Sequence, residues 1–433
     1  MRSRMTCTLL LSILLIAASC ARKSRTPAEI ATAVTDTTCP DSAFLVDMRD
    51  KLKDTQHRDQ ANEALRNYAW ALFAQVTGRG ERRPKWTFGH TVDSAAILQP
   101  QPDSQGVAVP VSLFRSMELL PPTSTDDSLR GLVTVLMNDA SMQHIRASKL
   151  YTPAKIKEYQ SQGVHQIPEF GCGSINVKAT WRVIPHGASA PIGVWADDQT
   201  MGGDEWTWRK WILVDAGAAN PGMPPGSPWD PSRRTYEANH KDAQLDEFYT
   251  VTLGSPGDFV WAGLTDDLKK LLHKGDNLIL VGLHVAAKMD PDWIWTTFWW
   301  NPIGVGASHQ KDMPAWVKDD HRWRNFAMNL DVSMILSCGH DDSQPPCPPV
   351  GASPPDPLAP VFNPYLEGTT LLNFTTNCMR CHKNASPDSD ISNLDPQPPN
   401  NLEGKVLLDY VWSLQHILGN HHPAKLQDAS TGK

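Results

Sequence analysis

Five consecutive residues near the C-terminus, Cys378-Met379-Arg380-Cys381-His382, constrain this chain more than any other feature. Two thiols separated by two residues and followed at once by a histidine form the C-x-x-C-H pattern of covalent haem attachment. One turn of backbone presents both sulfurs to the two vinyl groups on one porphyrin edge, and His382 then meets the iron from the proximal side. A chain carrying so large an apolar group has to build a pocket around it. Other uses of such a pair fit less well. A thioredoxin-like redox pair sits in a βαβ context, whereas Asn373-Phe374-Thr375-Thr376-Asn377 precede this motif and a Pro- and Asn-rich stretch follows it. A zinc site needs a second ligand pair at finger-like spacing, and none accompanies the motif.

Counting methionines sharpens the constraint. Met379 is the last methionine of the chain and lies inside the motif, where it cannot reach the opposite face of the same porphyrin. A downstream distal methionine is thereby excluded. The distal ligand is then a downstream histidine (His416, His421 or His422), a histidine or methionine from upstream, or nothing. His284 is the upstream candidate, because it follows the apolar run Leu278–Leu283 and precedes the Trp-rich run Trp293–Trp300. Its alternative role is packing within a strand; the alternative for His421 and His422 is a solvated tail. Two histidine ligands would set a lower potential than His/Met ligation, and an open position would permit ligand binding or peroxide chemistry. With a Pro-rich stretch in place of a helix before the motif, the haem is thinly covered, so the segment is expected to dock on the rest of the chain.

This cofactor is attached outside the cytoplasm, and the N-terminus agrees. Arg2 and Arg4 form a basic region, Leu9–Ile16 an apolar one, and Ala17-Ala18-Ser19 a small-residue cleavage segment. The apolar run is too short to span a bilayer. Ala17-Ala18-Ser19-Cys20 resembles the lipobox of bacterial lipoproteins, which implies Cys20 as the acylated first mature residue; the alternative is a plain secretory signal. Several acyl chains anchor stably, at ~0.8 kcal/mol per buried CH₂. Ala21 rather than Asp follows, which by the same resemblance favours the outer membrane. The expected location is the bacterial periplasm, lipid-anchored.

Cysteine use fits that compartment. Of eight cysteines, Cys7 leaves with the signal, Cys20 takes lipid, and Cys378 and Cys381 take haem. Cys39, Cys172, Cys338 and Cys347 remain, an even set that an oxidising compartment turns into disulfides. The expected pairs are Cys338 with Cys347, across a short loop, and Cys39 with Cys172, from three possible connectivities; the alternative is buried free thiols. The net charge of −7 and the lack of a basic run argue against a nucleic-acid partner. The 16 tryptophans point to a large aromatic core or to an apolar pocket.

The expected fold is α+β: a large, mainly antiparallel β domain with N-terminal helices, plus a small C-terminal α-helical haem c segment. Residues 1–19 read as a lipoprotein signal peptide and 20–80 as a tether and N-terminal helices. Residues 81–340 read as a Trp-rich β domain, 341–362 as a Pro-rich linker and 363–433 as the haem c segment. Helices are predicted over 43–57 and 58–77, the second from Ala61, Leu65, Ala69, Leu72 and Val76, with Gly78 ending it. Strands are predicted at 107–109, 175–184, 211–214, 248–253 and 278–285. In 175–184, Lys178, Thr180 and Arg182 alternate with apolar residues, which predicts one face toward water. An apolar stripe at Val406, Leu407, Tyr410, Val411, Leu414 and Ile417 predicts a last helix over 403–418.

Four stretches follow an order that resembles bacterial cytochrome c family proteins of unassigned activity: Gly173–Trp181, Leu280–Val285, Trp293–Phe298 and Asn377–His382. The resemblance covers roughly residues 170–385. It implies haem c and export, and supplies no substrate. Where that pattern has an acidic residue after Phe298, this chain has Trp299. Two functions stay open: single-electron transfer to a periplasmic redox partner, or a haem-dependent enzyme or ligand-binding protein with its substrate site in the large domain. The large domain favours the second. The absence of H-E-x-x-H, G-x-S-x-G and phosphate-binding glycine motifs favours the first.

Overall fold

The computed structural model describes residues 39, 42–54, 56–78, 90–91, 131–195, 208, 210–215, 243–255, 260–261, 264, 269–270, 272–289, 293–302, 313–332, 361–367, 378, 382, 385–387, 405–414 and 418. The signal peptide, the 107–109 strand, Cys20, Cys338, Cys347, Cys381, His416, His421 and His422 lie outside them.

Two helices come first, α1 (Ser42–Lys53) and α2 (Arg58–Thr77). In α2 the residues at helical spacing, Ala61, Leu65, Ala69 and Leu72, are buried, and the chain leaves the helix at Gly78 with φ 76°. Strands β1 (His90–Thr91) and β2 (Gly131–Met137) follow, then helices α3 (Asp139–Ala147) and α4 (Pro153–Ser161). Asn138 Oδ1 caps α3 by accepting from Ser141 N at 3.1 Å, and it also accepts from Ile175 N at 3.0 Å. Next come β3 (Ile175–Ile184), β4 (Ala190–Val194), β5 (Lys210–Asp215), β6 (Ala243–Gln244), β7 (Thr250–Thr252), β8 (Asn277–Lys288) and β9 (Trp293–Trp300). A short α5 (Ala315–Lys318), β10 (Phe326–Val332) and a single turn α6 (Pro364–Glu367) complete the elements.

The body is a seven-stranded antiparallel sheet in the order β1-β2-β3-β8-β9-β10, with β7 paired to β8. A three-stranded sheet, β4-β5-β6, stands beside it. The fold is therefore α+β with a mainly antiparallel sheet.

Directly opposite residues share a face of a sheet, so the register defines two faces. Ala179 opposes Leu283, which opposes Phe298, which opposes Met328. This face is apolar, and α2 packs on it: Trp70 and Phe73 lie 5.4 and 4.5 Å from the Phe298 ring, and Phe73 lies 5.1 Å from Phe326. The N-terminal helices and the sheet thus share one core.

The other face carries Lys178 opposite His284, His284 opposite Thr297, and Ala286 opposite Trp295. The alternation in β3 predicts that this side meets water; in the structure Thr180 and Arg182 are buried, at 2% and 7% exposure. The cover comes from residues 361–367. Asn363 donates from Nδ2 to Thr297 Oγ1 (3.0 Å) and Phe298 O (2.8 Å), and Tyr365 donates from its hydroxyl to Gly193 O (2.7 Å). Gly282 makes room for it, because a Cβ there would stand 2.8 Å from Asn363 Oδ1. The Arg182 guanidinium lies 5.6 Å from the Tyr365 ring centroid.

Two further departures have physical causes. The run Trp293–Trp300 forms β9, with every residue buried; covered on both faces, it lacks the alternation that marks a half-exposed strand. The helix predicted over 403–418 is absent from residues 405–413, which run extended into turns. Their backbone bonds go elsewhere: Leu407 N donates to His165 O (2.9 Å), Leu407 O accepts from Ile167 N (3.0 Å), and Leu408 N donates to Ala385 O (2.8 Å). Tertiary pairing outweighs a weak helical preference.

Cys39 and Cys172 form a disulfide. Among the described residues no helix is long and apolar enough to cross a membrane.

Candidate functional site

Of the motif residues, Cys378 and His382 are described, and both lie against the sheet face that carries Trp295. The imidazole of His382 sits 5.8 Å from the Trp295 ring, which in turn lies 5.4 Å from Tyr410. Cys378 packs on an apolar cluster that includes Trp293, Trp295, Leu408 and Trp412, with its Sγ 3.9 Å from Val361 O. His382 O accepts from Ala385 N at 3.0 Å, and Ala385 O accepts from Leu408 N at 2.8 Å. The loop after the motif is thereby stitched to 405–410.

The central contact is between His382 Nδ1 and Tyr410 O, at 2.7 Å. A carbonyl only accepts, so the proton of the neutral ring belongs on Nδ1 and the lone pair on Nε2. That is the tautomer of a metal-ligating histidine whose second nitrogen is oriented by a backbone carbonyl.

Tyr410 reaches this position through an unusual turn. Asp409 and Tyr410 both have positive φ, 42° and 66°, a left-handed conformation that costs an L-residue roughly 1–2 kcal/mol. A buried cluster fastens the turn. Asp409 accepts from Lys288 Nζ at 3.1 Å on both oxygens, from Trp293 Nε1 at 3.3 Å and from Phe170 N at 2.8 Å. Lys288 is 1% exposed and Asp409 2%. Glu169, half exposed, adds a carboxylate oxygen 3.4 Å from Lys288 Nζ. Burial pushes the Asp409 carboxyl above the ordinary carboxylate range, against the pull of Lys288. Phe170 continues the aromatic layer, with its ring 5.9 Å from Trp293 and 4.4 Å from His144. His144 Nε2 lies 2.9 Å from Pro168 O, and burial lowers its pKa below 6.5.

His284 sits mid-strand in β8, half-buried, on the same sheet face as Trp295. On that face two buried oxygens, Asn176 Oδ1 and Thr180 Oγ1, have no hydrogen-bond partner among the described residues. Among the described residues, no group of three or more His, Cys, Asp and Glu side chains converges to hold a metal ion. A single histidine with its lone pair on Nε2 beside an aromatic wall, four residues from Cys378, is a lining that fits the haem expected from the C-x-x-C-H pattern.

Lys288, Trp293, Asp409 and Tyr410 escape sequence reasoning as site residues. One signal was present: Lys288 ends the mainly apolar strand β8 as its one lysine, with no acidic residue in the strand. The other residues have none, since Asp409 lies 121 positions from Lys288 and Tyr410 acts through its backbone.

No family model matches the chain, and no curated protein or solved structure matches it.

Proposed function

We propose that the chain is an exported c-type cytochrome, carrying one haem on Cys378 and Cys381, with His382 as the proximal ligand and single-electron transfer as its activity. The observation that carries the reading is the bond between His382 Nδ1 and Tyr410 O, 2.7 Å long, which assigns the ring lone pair to Nε2. When bound, the haem supplies a one-electron ferric–ferrous couple. The chain's own residues orient and shield it. Tyr410 O fixes the imidazole tautomer, Trp295 packs beside the ring, and the apolar cluster that includes Trp293, Leu408 and Trp412 supports Cys378. Cys20 anchors the chain to the outer membrane by its acyl chains, facing a periplasmic redox partner. His284 is the distal candidate on the described part of the sheet; His416, His421 and His422 are the others.

One observation favours a second reading, a haem-dependent enzyme or ligand-binding protein. Asn176 Oδ1, opposite Ala286 in the row that continues to Trp295, is buried and unbonded among the described residues. Buried polar atoms ordinarily have partners, and a substrate on that face of the sheet would supply one.

The optical spectrum of the exported protein separates the two. Electron transfer predicts six-coordinate, low-spin iron with a nitrogenous distal ligand. High-spin ferric bands, or rapid CO binding without ligand displacement, transfer the assignment to the enzyme. Individual replacement of His284, His416, His421 and His422 by alanine then locates the distal ligand. Labelling with a radioactive fatty acid, lost in Cys20→Ser, tests the anchor.

A further inference from the structure

We propose that Asp409 is a positioning residue for His382. Its carboxylate, seized by Lys288, Trp293 and Phe170, fixes the left-handed turn that aims Tyr410 O at the imidazole. This inference rests on the reading of His382 as the iron ligand.

A buried ion pair is a poor way to gain stability. Desolvation offsets most of the attraction, and apolar replacements of similar volume are often as stable. Lys288 and Asp409 nevertheless meet at 3.1 Å with almost no exposure. What such a pair supplies is a single geometry. Asp409 receives donors from three directions: the end of β8 through Lys288, the start of β9 through Trp293 Nε1, and the 165–173 stretch through Phe170 N. A backbone held in a sparsely populated region persists when its surroundings over-determine it. Here two successive non-glycine residues have positive φ, at 42° and 66°, and the second presents the carbonyl that His382 meets. The 165–173 stretch reinforces the arrangement, because Leu407 bonds to His165 and Ile167 just before the turn. Sheet, stretch and turn thus act as a vice whose output is the placement of one carbonyl oxygen.

The consequence is chemical. A carbonyl accepting from Nδ1–H makes Nε2 more basic and favours the more positively charged state of a bound metal. Loosening the vice would shift the haem-free ring toward the other tautomer and, in the loaded protein, would weaken the Nδ1–H bond and so raise the potential.

The test uses the full-length chain in two forms, one secreted and loaded, the other produced without haem attachment. In the haem-free form, ¹⁵N chemical shifts of the His382 ring report its tautomer, with the proton expected on Nδ1. The K288M/D409A double variant leaves no unpaired buried charge. It is expected to lower the Nδ1–H population and, in the loaded form, to move the midpoint potential positive. D409E, which keeps the charge but lengthens the arm, is expected to shift both in the same direction. Native shifts and a native potential in folded K288M/D409A overturn the proposal; should that variant not fold, the same result in D409E does so. Absence of covalent haem in the native chain removes the cytochrome reading and leaves the tautomer measurement standing. Native behaviour of the variants removes the vice and leaves the cytochrome reading intact.

Discussion

On one face of the central sheet, α2 lays Trp70 and Phe73 against Phe298 and Phe326, apolar surface on apolar surface. On the opposite face, the C-terminal stretches also bury apolar residues, with Val406, Leu408, Val411 and Leu414 in one cluster with Trp293 and Trp295, but specific polar contacts fix their places: Asn363 on Thr297, Asp409 on Lys288, and Tyr410 O on His382 within the stretches themselves. The first arrangement stabilises without specifying much, because burial is non-directional. The polar contacts of the second add little net stability, since each polar group gives up water to make its bond, but they dictate where single atoms sit. Apolar burial supplies bulk on both faces, and the second adds the polar geometry that surrounds the candidate cofactor ligand.

The comparison can be broken from either side. The largest effect is expected from Phe298→Ala, which empties space between α2 and the sheet and should lower stability by about 3–5 kcal/mol. Denaturant unfolding followed by Trp fluorescence should show the whole transition moving; a shift confined to the C-terminal stretches would contradict the assignment of the core. Next is removal of the disulfide in Cys39→Ser/Cys172→Ser. It closes a loop of sequence separation 133, and its loss should cost roughly 2–4 kcal/mol. Because Cys172 lies in the 165–173 stretch, amide exchange there should accelerate first.

A smaller and local effect is expected from Asp409→Asn. The charge-assisted bond to Lys288 is lost, but Glu169, 3.4 Å from Lys288 Nζ, keeps the ammonium from being stranded without a counter-charge, so the cost should be about 1.5–3 kcal/mol. Faster amide exchange at Phe170 and Leu408, with α2 amides unchanged, would confirm that the two faces are separable; equal acceleration in α2 would merge them.

The smallest is a pH effect at His144. Burial lowers its pKa from 6.5, so below that value the unfolded chain binds more protons than the folded one, and stability falls as the pH drops through 6.5. Protonation should loosen Phe170 and, through it, Asp409. Amide exchange at Phe170 between pH 7.5 and about 5.5 should accelerate on acidification, and His144→Gln should flatten the dependence.

Much of the apolar face was legible in the sequence. The 3.6-residue spacing of Ala61, Leu65, Ala69 and Leu72 gives α2, and the alternation in 175–184 gives β3 with both ends correct. The polar face was legible only as a pattern whose meaning was inverted: Thr180 and Arg182 read as solvent-facing and are covered by Asn363 and Tyr365. No local rule anticipates a cover that arrives some 180 residues later. Residues 405–413 failed for a related reason, since Leu407 and Leu408 spend their backbone groups on His165, Ile167 and Ala385. Within the site, Cys378 and His382 announce themselves by spacing. The carbonyl of Tyr410 has no sequence signature, because any residue carries one.

The most direct measurement is the pyridine haemochrome spectrum of the secreted chain. One haem per chain, with the band position of two saturated vinyl groups and lost in Cys378→Ser/Cys381→Ser, is the result predicted. A secreted, folded chain without haem, or haem that persists in the double variant, would contradict the central claim.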